Sequence, residues 1–249
     1  MVKKSVRIEK GELNIVVSLT GNNTDSLMEQ AKKAAASEAY IIEWRADYFT
    51  ERDTVSEFSQ CLTSLREAIG DKLLLFTFRT KEEGGLSDIS IREYHELCLA
   101  VAESGKIDLI DVELSRIDFL GREFIKELKD AGVKVILSFH DFEQTPDDPT
   151  LIYRIGMMNQ FGADIGKIAV MPNNLQDVLR LMGIITKARA FNQLPLAVIG
   201  MGELGKVTRI SGKVTGSILT FAALDTPSAP GQFAVDQIKS LIDALTISE

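Results

Sequence analysis

Short apolar runs alternate along the chain with longer stretches whose apolar residues recur at helical spacing, so each strand pattern is followed by a helix pattern. Eight strands are predicted: 14–19 "NIVVSL", 39–47 "AYIIEWRAD", 72–79 "KLLLFTFR", 109–114 "LIDVEL", 134–141 "KVILSFHD", 165–171 "IGKIAVM", 196–201 "LAVIGM" and 218–224 "ILTFAAL". Helices are predicted over 24–37, 53–69, 90–104, 117–130, 149–161, 174–192 and 234–246, with a short one after Gly202. Thr24 is placed to cap the first helix, and Gly70, Gly105, Gly132 and Gly162 each follow a helix. Residues 5–13 are expected to form a small hairpin or lid ahead of the first strand.

Within the strands, polar and apolar residues alternate. Glu43, Arg45 and Asp47 interleave with Ile42, Trp44 and Ala46; Thr77 and Arg79 with Phe76 and Phe78; Asp111 and Glu113 with Val112 and Leu114. Ser138 and His140 share one face of their strand, Lys167 sits between Gly166 and Ile168, and Ser18 and Thr220 continue the pattern on the outer pair of strands. An open sheet covered by helices on both sides would be apolar on both faces. Eight β/α units in 249 residues therefore predict a closed (β/α)8 barrel, one domain over residues 1–249. Its apolar strand faces meet the helices, and its polar faces line the interior. Most of the polar residues fall near the C-terminal ends of their strands, where barrel active sites are built.

Composition narrows the partners. A hydrophobic content of 45% with 26% charged residues is that of an ordinary globular protein, and no run of eighteen apolar residues could span a bilayer. A net charge of −8 without a basic cluster argues against nucleic acids and anionic membranes. The apolar run after the basic start "MVKKS" is too short for a signal-peptide core, which places the protein in the cytoplasm. Cys61 and Cys98 have no metal-binding spacing and are read as reduced core residues; two histidines in separate elements make a metal site improbable.

The interior residues carry the candidate chemistry. Lys167 in "ADIGKIAVMP" is costly in a buried strand, and desolvation beside Arg45 and Arg79 disfavours its ammonium form, leaving an amine able to attack a carbonyl. An ion pair with Glu43, Asp111 or Glu113 accounts for it equally well. His140, on the inner face of its strand, is the natural acid/base, whereas His95 lies on a helix and reads as a surface or packing residue. Glu83, in the loop "KEEGG", could orient a histidine or be an inert exposed acid. Arg45, Arg79 and Arg209 suit a small anionic substrate with hydroxyls, to which Glu43, Ser18 and Gln232 could bind; Glu43 with either arginine could equally be a buried pair. "GMGELG", Gly200 to Gly205, matches a dinucleotide-binding spacing, but its helix is brief, and Val207 stands where a phosphate loop needs Ser or Thr.

Several stretches together resemble the type I 3-dehydroquinate dehydratase family: "EWRADYF", "FTFRTKEEGG", "SFHDF", "KIAVMP", and "GSILTFAAL" followed by "SAPGQ". The similarity runs from "VSLTG" at Val17 to Gln232. The resemblance implies a (β/α)8 barrel, usually a homodimer, and a carbon–oxygen lyase that dehydrates 3-dehydroquinate to 3-dehydroshikimate without a metal or cofactor. It also implies Lys167 as the imine-forming residue, His140 as acid/base, Glu83 as the group that holds His140, and Arg209 as the carboxylate binder. Glu43, Arg45, Arg79, Ser228 and Gln232 would surround the ring, Ser18 would join them, and Met201 and Phe221 would form walls. Rival readings are another lysine-imine barrel lyase of the class I aldolase type and a non-catalytic metabolite-binding barrel.

Overall fold

The computed structural model describes residues 12–51 and 55–245. Nearly all of the segment expected to form an N-terminal hairpin, residues 5–13, lies outside them. Eight parallel strands run in the order β7-β6-β5-β4-β3-β2-β1-β8. They are β1 (Asn14–Leu19), β2 (Ile41–Arg45), β3 (Leu73–Thr77), β4 (Leu109–Glu113), β5 (Lys134–Asp141), β6 (Ile165–Val170), β7 (Leu196–Gly200) and β8 (Leu219–Ala222). The Ile218 N–H donates to the Leu196 carbonyl at 2.9 Å, and the Val198 N–H to Ser217 Oγ at 3.1 Å, so the β8 and β7 segments meet and the sheet curls into a (β/α)8 barrel.

The outer layer is α1 (Thr24–Ala36), α2 (Val55–Ile69), α3 (Ile91–Glu103), α4 (Leu114–Asp130), α5 (Asp148–Phe161), α6 (Leu175–Ala188), α7 (Gly202–Ile210), α8 (Gly212–Thr215) and α9 (Val235–Ala244). Their apolar stripes pack on the outward side chains of the strands. Trp44 on β2 stacks on Phe58 of α2 at 4.9 Å between centroids and meets Phe49 and Phe76 edge-on. Cys61 and Cys98 are free thiols in this layer, and burial pushes the Cys61 thiol up to about 11.

Inside the barrel the composition changes along its axis. The N-terminal halves of the strands supply an apolar plug that includes Val16, Ile41, Leu73, Leu109, Ile136, Ile165, Ala197 and Leu219. The C-terminal halves supply Glu43, Arg45, Thr77, Asp111, Glu113, Ser138 and Lys167, all buried. Register sets these side by side: Arg45 pairs with Thr77 and Thr77 with Asp111, while Glu113 pairs with Ser138 and Ser138 with Lys167. A dry floor under a charged layer confines polar chemistry to one end.

The structure corrects several sequence expectations, including the start of α4, which is Leu114 rather than residue 117. Asn23, not Thr24, caps α1, its side chain accepting the Ser26 N–H at 2.9 Å; Thr24 instead bonds Glu51. Strands β2 and β3 stop two residues earlier than expected, because Asp47 accepts the Arg79 and Leu86 N–H groups and draws both rims into turns. Helix α6 ends at Ala188 rather than residue 192, and Phe191 beyond its end is 74% exposed. Thr220 faces outward: it pairs in register with Ile15 of the outer layer, while its neighbours Leu219 and Phe221 point inward.

The glycines of "GMGELG" have a packing reason. A Cβ on Gly205 would stand 2.3 Å from the Gly200 carbonyl oxygen, so their absence lets α7 close on β7, where the Thr208 hydroxyl links the two by accepting the Gly200 N–H at 2.8 Å.

Candidate active site

One cleft opens at the C-terminal end of the barrel. Its lining contains Lys167, His140 and Glu83, and also Glu43, Arg45, Arg79, Met201, Arg209, Phe221, Ser228 and Gln232. Eleven of the twelve residues singled out from the sequence therefore come together. Ser18 is the exception. It stands behind Glu43, donating its hydroxyl to Glu43 Oε2, while Thr77 Oγ1 donates to Oε1 at 2.8 Å.

Lys167 is 4% exposed. Its Nζ lies 3.1 Å from Asp111 Oδ2 and 4.5 Å from the centre of the Phe221 ring. The lysine therefore has one carboxylate and one aromatic face, and both of these stabilise an ammonium. Asp111 divides its oxygens: Oδ1 accepts Arg79 at 2.7 Å and Ser138 at 2.6 Å, leaving Oδ2 for Lys167. Burial opposes the charged form of Asp111, but Arg79 and Lys167 outweigh it and hold its carboxyl down at about 2.

Glu83 is not an exposed loop acid. The chain after β3 folds into a 3-10 turn over Lys81–Glu83 that buries it to 5% exposure. Its Oε2 lies 2.9 Å from His140 Nδ1 and accepts the His140 N–H at 3.2 Å, and its Oε1 accepts Ser115 Oγ at 3.0 Å. Burial pushes the Glu83 carboxyl up to about 8, against the pull of Arg79. Burial, with Arg79, Lys167 and Arg45 nearby, pushes His140 well below the usual histidine range. With Nδ1 turned to Glu83, Nε2 is the ring nitrogen left for the cleft.

The three arginines differ. Arg45 is engaged in a two-pronged pair with Asp47 at 2.8 Å, and Arg79 pairs with Asp111 and Glu113, so neither pairs with Glu43. Arg209 on α7 is 1% exposed, yet among the described residues no carboxylate pairs with it. It donates to the carbonyls of Pro230 at 2.8 Å and Phe221 at 3.4 Å, and its Nε–H has no partner. Burial alone lowers its guanidinium to about 10. A buried, uncompensated cation on a cleft wall is suited to receive an anion. Beside it Gln232 Oε1 accepts the Ser228 N–H at 2.9 Å, and Gln232 Nε2 donates to Ser228 Oγ at 3.0 Å, which fixes both side chains on one loop.

The sequence reading missed some members. Gly84 and Phe142 also line the cleft. A Cβ on Gly84 would fall 2.3 Å from the Phe142 ring, and φ there is +83°, so only glycine lets that ring lie parallel to His140 at 6.5 Å. Glycine directly after a short acidic run was the available signal. The links of Asp47 to Leu86, Ser115 to Glu83 and Arg116 to Glu82 had no signal in the sequence, because each spans thirty or more residues. Among the described residues no group of three or more His, Cys, Asp or Glu side chains is arranged to hold a metal ion.

Comparison with known proteins agrees with this geometry. The sequence model of the family described as type I 3-dehydroquinase matches residues 15–249. A 3-dehydroquinate dehydratase of Klebsiella pneumoniae strain 342 is 38% identical over 244 residues, covering 98% of this chain and 97% of the relative. A Clostridium difficile type I 3-dehydroquinate dehydratase, solved with covalently modified comenic acid, superposes with a TM-score of 0.91 at 37% identity, covering 95% and 93% of the two chains. The Enterococcus faecalis 3-dehydroquinate dehydratase gives 0.89 at 31% identity, covering 97% and 98%.

Proposed function

Because the chain belongs to the type I 3-dehydroquinase family, hydro-lyases of the shikimate pathway, we propose that it dehydrates 3-dehydroquinate to 3-dehydroshikimate through an imine on Lys167. One observation carries the reading: Lys167, the His140–Glu83 pair and the uncompensated Arg209 converge on a single cleft.

Arg209 takes the substrate carboxylate, and Ser228 and Gln232, with Glu43, take ring hydroxyls. Arg45 and Arg79 hold the acids around them and shape the wall. The Lys167 ammonium, released from Asp111, gives one proton to His140 and adds to the ketone as an amine; His140 returns that proton to the carbinolamine hydroxyl, which leaves as water and gives a protonated imine, whose charge Asp111 balances. The imine draws electrons from the adjacent C–H bond. His140 Nε2 removes that proton, and the bonding pair forms an enamine. The enamine expels the β-hydroxyl, which leaves as water with the proton His140 carries. Water then hydrolyses the product imine and frees Lys167. Glu83 must be ionised for this, since a second proton on the pair blocks Nε2.

Trapping tests the reading. Borohydride added during turnover should leave one reduced adduct, mapping to the peptide that contains Lys167. No adduct, together with no absorbance from an enone product, would leave Lys167 as the ion-paired partner of Asp111 and favour a binding protein. The same reading makes the protein a cytoplasmic homodimer, for which light scattering should give twice the chain mass. Among the described residues no helix is long and apolar enough to cross a membrane.

A further inference from the structure

Ser115 stands where β4 turns directly into α4, since Glu113 ends the strand and Leu114 begins the helix. That turn brings the start of α4 against the 3-10 turn after β3. Ser115 Oγ donates to Glu83 Oε1 at 3.0 Å, while Glu83 Oε2 serves His140. The next residue, Arg116, grips Glu82 Oε2 at 2.7 Å and Glu113 Oε2 at 3.4 Å. Two successive residues of α4 thus hold two successive acids. Ser115 is exposed and is not part of the cleft lining, so it has no substrate to touch.

We propose that Ser115 is a positioning residue for the acid/base pair: its hydroxyl commits one oxygen of Glu83 to α4 and leaves the other aimed at His140. This rests on the reading of His140 as the acid/base. The groups facing Glu83 are Arg79 after β3, Asp111 and Glu113 of β4, and His140 of β5. Arg79 lies 3.6 Å away and is shared with Asp111 and Glu113. Burial and the two neighbouring carboxylates favour the protonated acid, and the Ser115 hydroxyl works with Arg79 against them. Without it Oε1 loses its hydroxyl donor, the carboxyl is held through Oε2 alone, and it keeps its proton to higher pH. Nε2 is available only when the pair carries a single proton, so the active form then appears at higher pH.

The test is a pH titration of the histidine ring signals by NMR in the wild type, Ser115→Ala and Ser115→Thr, with kcat against pH for the same three proteins. His95 is the one other histidine and lies on α3 against Phe124, which makes it an internal reference. Ser115→Ala should raise both the midpoint of the pair and the acid limb of kcat by roughly one pH unit, so that turnover on that limb falls roughly tenfold and returns at alkaline pH. KM should stay within about twofold, and Ser115→Thr should restore both curves. An unmoved midpoint, or a loss of kcat equal at all pH values, overturns the role. A wild type without turnover counts against the proposed reaction alone, and the ring titration still decides Ser115.

Discussion

Arg209 holds a charge that its surroundings do not neutralise, and that condition separates binding from stability. Two backbone carbonyls and an unpartnered Nε–H leave the buried guanidinium short of compensation, which the proposed substrate carboxylate would supply. Arg209→Met should therefore melt no lower than the wild type in the absence of substrate, while KM rises roughly ten- to a hundredfold from loss of a charged hydrogen-bonding partner. Calorimetry and steady-state kinetics on one preparation check both halves. Lys167 is the opposite case. Its charge is balanced by Asp111 at 3.1 Å, so the residue that looked most anomalous in the sequence is well partnered at rest. The proposed reaction requires it to leave that partner.

At the scale of elements, the rims of the barrel do the positioning. The 3-10 turn over Lys81–Glu83 converts a loop acid into a buried one, and it is held by Arg116–Glu82, Ser115–Glu83 and Lys81–Asp88. Gly84 closes that turn in the left-handed region with the Phe142 ring against it. Gly84→Ala should displace Phe142 and tilt Glu83 from His140, costing about 1–3 kcal/mol in denaturant unfolding from backbone strain and the clash together. kcat should fall more than KM rises. Normal stability with normal kcat would show that the turn tolerates the side chain. The strand and helix order was legible from periodicity because each strand carries its own alternation. The turn was not, because its burial depends on α4 and β5, elements distant in sequence.

For the whole molecule, the charged layer above an apolar floor makes stability depend on pH from both sides. Asp111 titrates near 2 in the fold against 3.8 unperturbed, so its contribution is complete above about pH 4 and is lost as the pH falls toward 2. That contribution is about 2 kcal/mol. Urea unfolding at a series of pH values should show wild type and Asp111→Asn converging in acid and separating by about this amount near pH 6. Equal stability of the two proteins near pH 6 as well as in acid would show that the Asp111 charge contributes nothing to the fold. Glu83 has the opposite sign. Its acid is raised from 4.5 to about 8, so the stability gained by keeping its proton is lost as the pH rises through that interval.

Periodicity along the chain determined the eight β/α units, the inward set of polar residues with Thr220 as the exception, and through them the end of the barrel that holds the chemistry. The motifs brought Lys167, His140, Glu83 and Arg209 to notice. All of this is local: alternation, caps and residue type are written within a few positions of one another. Tertiary structure alone decided which charges neutralise one another. Arg45 and Arg79 are closed in pairs and Arg209 is left open, although the sequence offers three equivalent arginines. It also decided that Lys167 faces Asp111 rather than Glu43 or Glu113, that Ser18 stands behind the cleft, and that Ser115 reaches Glu83. Pairing energies depend on distances of a few ångströms between strands whose register only the closed barrel sets, and no pattern in one strand contains that distance.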